Sequence, residues 1–375
     1  MSRRVLELQQ VIQRLHEVAP RLGRTARFME VCGTHTVNAF RSGLRSLLPD
    51  NVQLLSGPGC PVCVTSQGEI DRIIHLATQP NVILCTYGDM IRVTGSTSSL
   101  ADARAAGADI RVIYSTLDAV QIAVGNPHRQ VVLAAVGFET TTPATAIAIL
   151  EAERLELDNF TVLASHKCIL PALEALLDSG KVQVDGFVCP GHVAVVTGAE
   201  VFRSIVHRYR LSCVITGFEG PQIAAALLRL TELRLGGMPR LENLYPQAVS
   251  PEGNPRALAA IARVFEPVDA VWRGLGMLPE SALGIRAAFS EFDARRRFDL
   301  PEHEPPEPRG CVCGSVITGR ASPDQCPHFA VACTPAHPIG PCMVSSEGTC
   351  AAWFKYAAHP RRRAPSPLHE QEVPT

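Results

Sequence analysis

Between about residues 28 and 220 the sequence alternates between two textures. Short apolar, β-branched runs recur at 52–55, 82–84, 112–114, 131–136, 160–163, 186–188 and 213–215. Each ends in Gly, Pro, Cys or Thr or close to one, and each is followed by a helix-like stretch. Continuous apolar runs suit strands buried on both faces, as in a parallel sheet covered by helices. Strand–helix alternation over this length predicts an α/β fold. Ahead of it, Leu8, Val11, Ile12, Leu15 and Val18 fall at helical spacing, which predicts an amphipathic first helix over 5–19. A faint echo, Gly137-Phe138-Glu139 and Gly217-Phe218-Glu219, stands at two predicted strand ends and reads equally as related βα units or as coincidence.

Composition narrows the class further. A length of 375 residues gives a prior of two or three domains. At 46% hydrophobic residues the chain is globular in character. A formal net charge of −1 gives no support for a nucleic-acid partner. No run approaches the ~18 apolar residues that would cross a bilayer. The first residues, Met-Ser-Arg-Arg-Val-Leu-Glu-Leu-Gln-Gln, lack the apolar core of a signal peptide, so a cytoplasmic location is expected. In a reducing compartment the 13 cysteines are not a disulfide framework. Metal, cluster or thiol chemistry is the expectation.

Six of the 13 cysteines lie within residues 311–350, after a composition shift. Residues 295–310 are rich in proline and charge and read as an exposed linker. Cys311, Cys313, Cys326, Cys333, Cys342 and Cys350 then follow among many prolines, with little regular structure legible. So short a stretch needs a cross-link to hold its shape. It contains no C-x₂-C knuckle, so its irregular spacing suits four thiolates around an iron–sulfur cluster better than a zinc site. Cys326, Cys333 and Cys350 are three candidate ligands, and the fourth is Cys311 or Cys313. The end, 359–375, reads as a disordered tail.

Three motifs lie further toward the N-terminus. Cys32-Gly33-Thr34-His35 closes a short strand at 28–31, where open α/β sheets bind ligands. His35 is placed to lower the thiol pKa or to supply a second ligand, and the bland alternative is a buried cysteine beside a capped helix. Gly57-Pro58-Gly59-Cys60-Pro61-Val62-Cys63 puts C-x-x-C at a turn before a helix, which is the redox dithiol arrangement. Its alternative is half of a zinc site completed by distant cysteines such as Cys32 and Cys85. Gly137-Phe138-Glu139-Thr140-Thr141-Thr142-Pro143 gathers Glu139 and three hydroxyls at a strand mouth, either for a small polar ligand or as a helix cap. Ser165-His166-Lys167-Cys168 and Cys189-Pro190-Gly191-His192 close two more strands and raise the prospect of one shared cleft. Cys85 and Cys213 read as ordinary core cysteines. No Walker A sequence and no G-x-G-x-x-G after a strand supports nucleotide binding.

Taken together, these segments and Pro341-Cys342-Met343-Val344-Ser345-Ser346-Glu347-Gly348-Thr349-Cys350 resemble the HypD family of hydrogenase maturation factors. The resemblance runs over roughly 28–356. It implies two α/β, Rossmann-like domains, at 1–126 and 127–294, and a small iron–sulfur domain at 295–358. It also implies a [4Fe–4S] cluster with spacing C-x₁₄-C-x₆-C-x₁₆-C, which Cys311, Cys326, Cys333 and Cys350 reproduce, with Cys313 as the neighbouring alternative. The implied function is a scaffold shared with a HypC-type chaperone. On it the Fe(CN)₂CO centre of nickel–iron hydrogenases is assembled, with a HypE-type cyanide donor, before transfer to the hydrogenase large subunit. In that scheme Cys32 binds the iron, His35 and Glu139 shape the pocket, Cys60 and Cys63 form a reversible disulfide, and His192 is a further candidate for the iron. The rival from another class is a stand-alone iron–sulfur thiol–disulfide oxidoreductase.

Overall fold

The computed structural model describes residues 3–357, so the tail expected at 359–375 lies outside the described residues. Among the described residues eleven strands form two sheets. They are β1 (Ala26–Glu30), β2 (Val52–Ser56), β3 (Val82–Thr86), β4 (Asp109–Val112), β5 (Gln130–Gly137), β6 (Phe160–Lys167), β7 (Gly186–Pro190), β8 (Ser212–Thr216), β9 (Leu241–Asn243), β10 (Phe265–Trp272) and β11 (Gly276–Ile285). The first sheet has the order β2-β1-β7-β8-β9 and is parallel throughout. The second has the order β10-β11-β6-β5-β3-β4. Its β6-β5-β3-β4 part is parallel, and β10 and β11 add an antiparallel hairpin at one side.

The expected α/β class therefore holds, but the sheets do not follow the expected division at 126/127. The chain lays down β1 and β2 in the first sheet, β3 to β6 in the second, β7 to β9 back in the first, and β10 and β11 in the second. The ladder of β3 and β5 runs across the expected boundary, with Cys85 opposite Leu133. Strand pairing follows burial rather than chain order. Met29, Val31, Phe187 and Ile215 of the first sheet or its edge share one continuous core with Leu84, Val132, Ala134 and Leu163 of the second. The opposite faces have their own cores. Phe28, Val188 and Val214 pack under the first helix, and Ile83, Leu133 and Val162 pack under the helices of the second sheet. Alternate residues of each strand thus point into different cores, which is why these strands read as unbroken apolar runs.

The first helix, Arg3–Val18, buries Leu8, Ile12, Leu15 and Val18 and lies along the helix Gly220–Gly236. The proline-rich segment expected as an exposed linker, 295–310, is fastened rather than free. Glu304 accepts hydrogen bonds from Ser66 Oγ (2.9 Å) and Gly68 N (2.8 Å), and Arg72 donates to Pro301 O (3.0 Å). A carboxylate at the start of the helix Gln67–Ala77 meets unpaired N–H groups and the positive end of the helix dipole. The C-terminal region carries only short helices, Cys313–Ile317, Pro341–Val344 and Thr349–Tyr356.

Candidate functional site

Cys32 lies two residues after the end of β1 and occupies the N-cap of the helix Gly33–Arg41 with extended backbone (φ −151°). Its side chain is buried. Burial, reinforced by the Glu347 carboxylate, pushes the thiol up to about 12, while the amides of Thr34 and His35 pull the other way. Beneath it lies Glu30, fully buried, which accepts from Cys32 N at 3.3 Å and from Thr36 Oγ1, with Arg45 3.8 Å away. Desolvation raises the Glu30 carboxyl to about 7 against the opposing pull of Arg45.

The Gly57-Pro58-Gly59 turn is locked onto this corner. Gly33 N donates to Gly59 O (3.1 Å) and Gly57 N to Glu30 O (2.8 Å). A Cβ on Gly59 would stand 2.2 Å from Cys32 N, so only glycine permits this approach. The turn delivers Cys60 and Cys63, which are joined as a disulfide across the short helix Pro61–Val64. Both are buried, and Cys63 N donates to Cys60 Sγ (3.2 Å). That helix packs against Cys313–Ile317 and Pro341–Val344, so the dithiol borders the C-terminal cysteine region.

All six C-terminal cysteines, Cys311, Cys313, Cys326, Cys333, Cys342 and Cys350, line one narrow cavity. Cys342 belongs to this lining as much as the four residues of the expected spacing do. Its Sγ accepts from Cys350 N at 3.2 Å, and Cys333 Sγ accepts from Ile339 N at 3.3 Å. Crowding of thiols is marked: a Cβ on Gly340 would be 2.8 Å from Cys311 Sγ. Hydrogen bonding to Cys313, then burial, pushes the Cys311 thiol up. The thiols surround the cavity rather than converge on a point. Among the described residues, no group of three or more His, Cys, Asp or Glu is placed to hold a single metal ion.

This region is also fastened to Cys32. Thr34 Oγ1 donates to Glu347 Oε1 at 2.6 Å, and a Cβ on Gly33 would meet Glu347 Cβ at 2.4 Å. The helix Thr349–Tyr356 lies on Gly33–Arg41, with Phe40 and Trp353 edge to face at 5.8 Å. Cys32, the dithiol and the C-terminal cysteines therefore occupy one contiguous part of the molecule. Glu30 and Glu347 had no assigned role in the sequence. Their position beside the cysteine in strand and motif was the only available signal.

The remaining candidates divide. His35 is fully buried, and its Nε2 lies 2.9 Å from Gly217 O. With Nε2 donating to that carbonyl, Nδ1 is the lone-pair nitrogen, and it is buried with no hydrogen-bond partner. Burial holds His35 down to about 4, so the ring is neutral at pH 7. Phe218 stacks between His35 (4.8 Å) and His192 (3.8 Å). The second Gly-Phe-Glu of the echo is thus part of the Cys32 site, a role that sequence alone did not suggest. Glu139 lies two residues beyond the end of β5, on the other sheet. Its Oε1 accepts from Ile169 N at 2.9 Å rather than from Cys32 or His35, and its Oε2 has no hydrogen-bond partner. Burial raises this carboxyl to about 7. The threonine hydroxyls beside it turn back: Thr141 and Thr142 donate to Phe138 O (3.3 and 3.0 Å), and Thr141 makes no side-chain cap. Cys85, Cys189 and Cys213 are buried in the cores.

Comparison with known proteins places this arrangement. A family model described as HypD, hydrogenase formation hypA family, matches residues 7–357. The chain is 47% identical over 340 residues to the hydrogenase maturation factor HypD of Azotobacter vinelandii, covering 89% of this chain and 90% of that protein. It is 45% identical over 358 residues to the HypD of Cupriavidus necator, covering 93% and 94%. It is 41% identical over 356 residues to the HypD of Escherichia coli, covering 93% and 95%. With its cysteine groups drawn together and its relatives matched along nearly their whole length, the chain belongs to the HypD family of hydrogenase maturation factors.

Proposed function

We propose that this chain is the scaffold on which the Fe(CN)₂CO unit of nickel–iron hydrogenases is assembled, in the cytoplasm. It would work with a HypC-type chaperone and a HypE-type cyanide donor, ahead of transfer to the large subunit. The observation that carries the proposal is the contact of three cysteine groups: Gly59 against Cys32, the dithiol helix against the C-terminal helices, and Glu347 against Thr34. A simple thiol–disulfide oxidoreductase has use for the dithiol and the C-terminal cysteines. It has none for a separate buried thiol flanked by the buried carboxylate of Glu30 and the partly buried one of Glu347.

The iron is cargo in this reading, and Cys32 would hold it as thiolate. Soft thiolate ligation suits iron with strong-field diatomic ligands. A thiol pushed up to about 12 must lose its proton on binding, so the cargo itself would drive deprotonation. The amides of Thr34 and His35 would then stabilise the thiolate. Neutral His35, held by Gly217 O and Phe218, would present Nδ1 as an acceptor in the dry wall of the pocket. His192, exposed and stacked on the other side of Phe218, would stand at the entrance as a further ligand.

The C-terminal thiols fit an iron–sulfur cluster in their chemistry: six soft donors line one cavity, and each corner iron of a cluster takes one thiolate. Cys311, Cys326, Cys333 and Cys350 would hold it, with Cys313 beside them. When bound, such a cluster supplies single electrons. The neighbouring dithiol, Cys60 and Cys63, would cycle between disulfide and two thiols with two electrons and two protons. The decisive experiment is Cys32→Ala produced anaerobically with the chaperone. The variant is expected to keep its fold and lose the cyanide and carbonyl infrared bands. Bands at parental intensity would remove Cys32 from the mechanism.

A further inference from the structure

Arg273 lies in the tight connection between β10 and β11 and is 2% exposed. A guanidinium is always charged, and burying one without a partner in contact is costly. Its nitrogens are held mainly from the dithiol side. Nε donates to Thr65 O (3.1 Å) and Nη2 to Gln67 Oε1 (3.1 Å). Its backbone N donates to Val64 O (2.9 Å), the last residue of the dithiol helix. Among the described residues Nη1 has no hydrogen-bond partner, and Glu307 Oε2 lies 3.8 Å away on a partly exposed side chain.

The next residue is in backbone contact with the cysteine region. Gly274 has φ +77°, and a Cβ there would stand 2.5 Å from Gly314 O, the residue after Cys313. Glu307 Oε1 accepts from Gly274 N (3.2 Å), and Arg320 Nη2 donates to Gly274 O (3.2 Å). The hairpin turn is therefore wedged between the segment after the dithiol and the first C-terminal cysteines. Glu307, the anion facing the guanidinium, borders the same cysteine segment: a Cβ on Gly314 would stand 3.2 Å from its Oε1.

We infer that Arg273 is a positioning cation that sets the reduction potential of the C-terminal iron–sulfur centre, from a place fixed by the dithiol helix. The inference rests on the cluster reading given above. Adding one electron to a thiolate-bound cluster raises its negative charge, with no bond made or broken. A buried cation nearby favours the reduced form and raises the potential. Glu307, as the anion facing that cation, works in the opposite direction. Nothing else is required of Arg273 in the assembly chemistry, so its signature is a potential rather than an activity.

The test is a dithionite redox titration of the reconstituted full-length chain, followed by electron paramagnetic resonance. Arg273→Gln is expected to lower the midpoint, so that the reduced-to-oxidised ratio at a fixed solution potential falls about tenfold, 59 mV for a one-electron couple. Arg273→Lys keeps the charge and should fall between the two. Glu307→Gln should move the midpoint upward. Loaded variants with unchanged midpoints overturn the inference alone. A parent chain that assembles no iron–sulfur cluster overturns the cluster reading and this inference with it. Should Arg273→Gln fail to fold, the half-exposed Glu307 decides: no upward shift in Glu307→Gln overturns the inference.

Discussion

The molecule carries its cysteine chemistry in two regions built on opposite principles. Cys32, Cys60 and Cys63 sit on glycine turns at the carboxyl ends of β1 and β2, and backbone hydrogen bonds and a parallel ladder fix them there. The six C-terminal cysteines sit among helices of four to eight residues, and the contacts about their cavity are mostly thiol to thiol and thiol to amide. The first geometry is fixed by backbone pairing, the second by contacts among thiols and short helices. The lesson is that a strand ladder holds a side chain in place locally, whereas a loop-rich group of thiols depends on whatever its side chains touch.

Three experiments bear on this contrast. The largest effect is expected from Cys333→Ser. Loss of a cluster ligand should abolish amide-exchange protection over 311–356 while leaving β1, β5, β7 and β8 protected. Equal protection of both regions would show that the C-terminal part has a sufficient core of its own. Next comes Glu139, which belongs to the sheet framework. Its carboxyl is raised from 4.5 to about 7 by burial, so the neutral form is favoured in the fold. The contribution is complete below pH 4.5 and is lost as pH rises through 7, on the order of 3 kcal/mol. Denaturant midpoints should fall between pH 4.5 and 7 in the parent and fall by less in Glu139→Gln, where Glu30, raised to about 7 in the same way, still contributes. If the difference disappears when the cluster is removed, the two regions are coupled and the contrast fails. The smallest of the three is Gly59→Ala. The new Cβ meets backbone atoms of Val31 and Cys32 that cannot yield, so about 1–3 kcal/mol of stability should be lost. Cys32 should also be alkylated faster in that variant, and an unchanged rate would mean the turn does not shield it.

The sequence was legible where burial is two-sided. The runs at 82–84, 131–136 and 213–215 became strands because both faces of each sheet are covered. It was misleading at 112–114. The strand there is Asp109–Val112 at the edge of the second sheet, and Tyr114 is 95% exposed. The hairpin of β10 and β11 went unread, because Glu266, Pro267 and Asp269 break its apolar pattern and a bulge interrupts its register. Cysteine spacing pointed to the C-terminal group, since ligands on one loop are close in sequence. It said nothing of Cys342 joining the same cavity, nor of Glu347 reaching Thr34 from over 300 residues away. Those contacts come from tertiary placement, which local patterns do not encode. The Glu139 motif was legible as a strand end. Its separation from Cys32 became visible only with the assignment of strands to sheets.

The interleaved order of the strands has a consequence for synthesis. β1 is flanked by β2 on one side and by β7 on the other, and Glu347 closes over Gly33 from near the end of the chain. A ribosome making this protein exposes Cys32 early and can complete its surroundings only after Glu347, more than 300 residues later, has been added. The half-made chain offers a bare thiol on an unfinished sheet edge, and the corner around Cys32 exists only once the C-terminal cysteine region has arrived to form one of its walls.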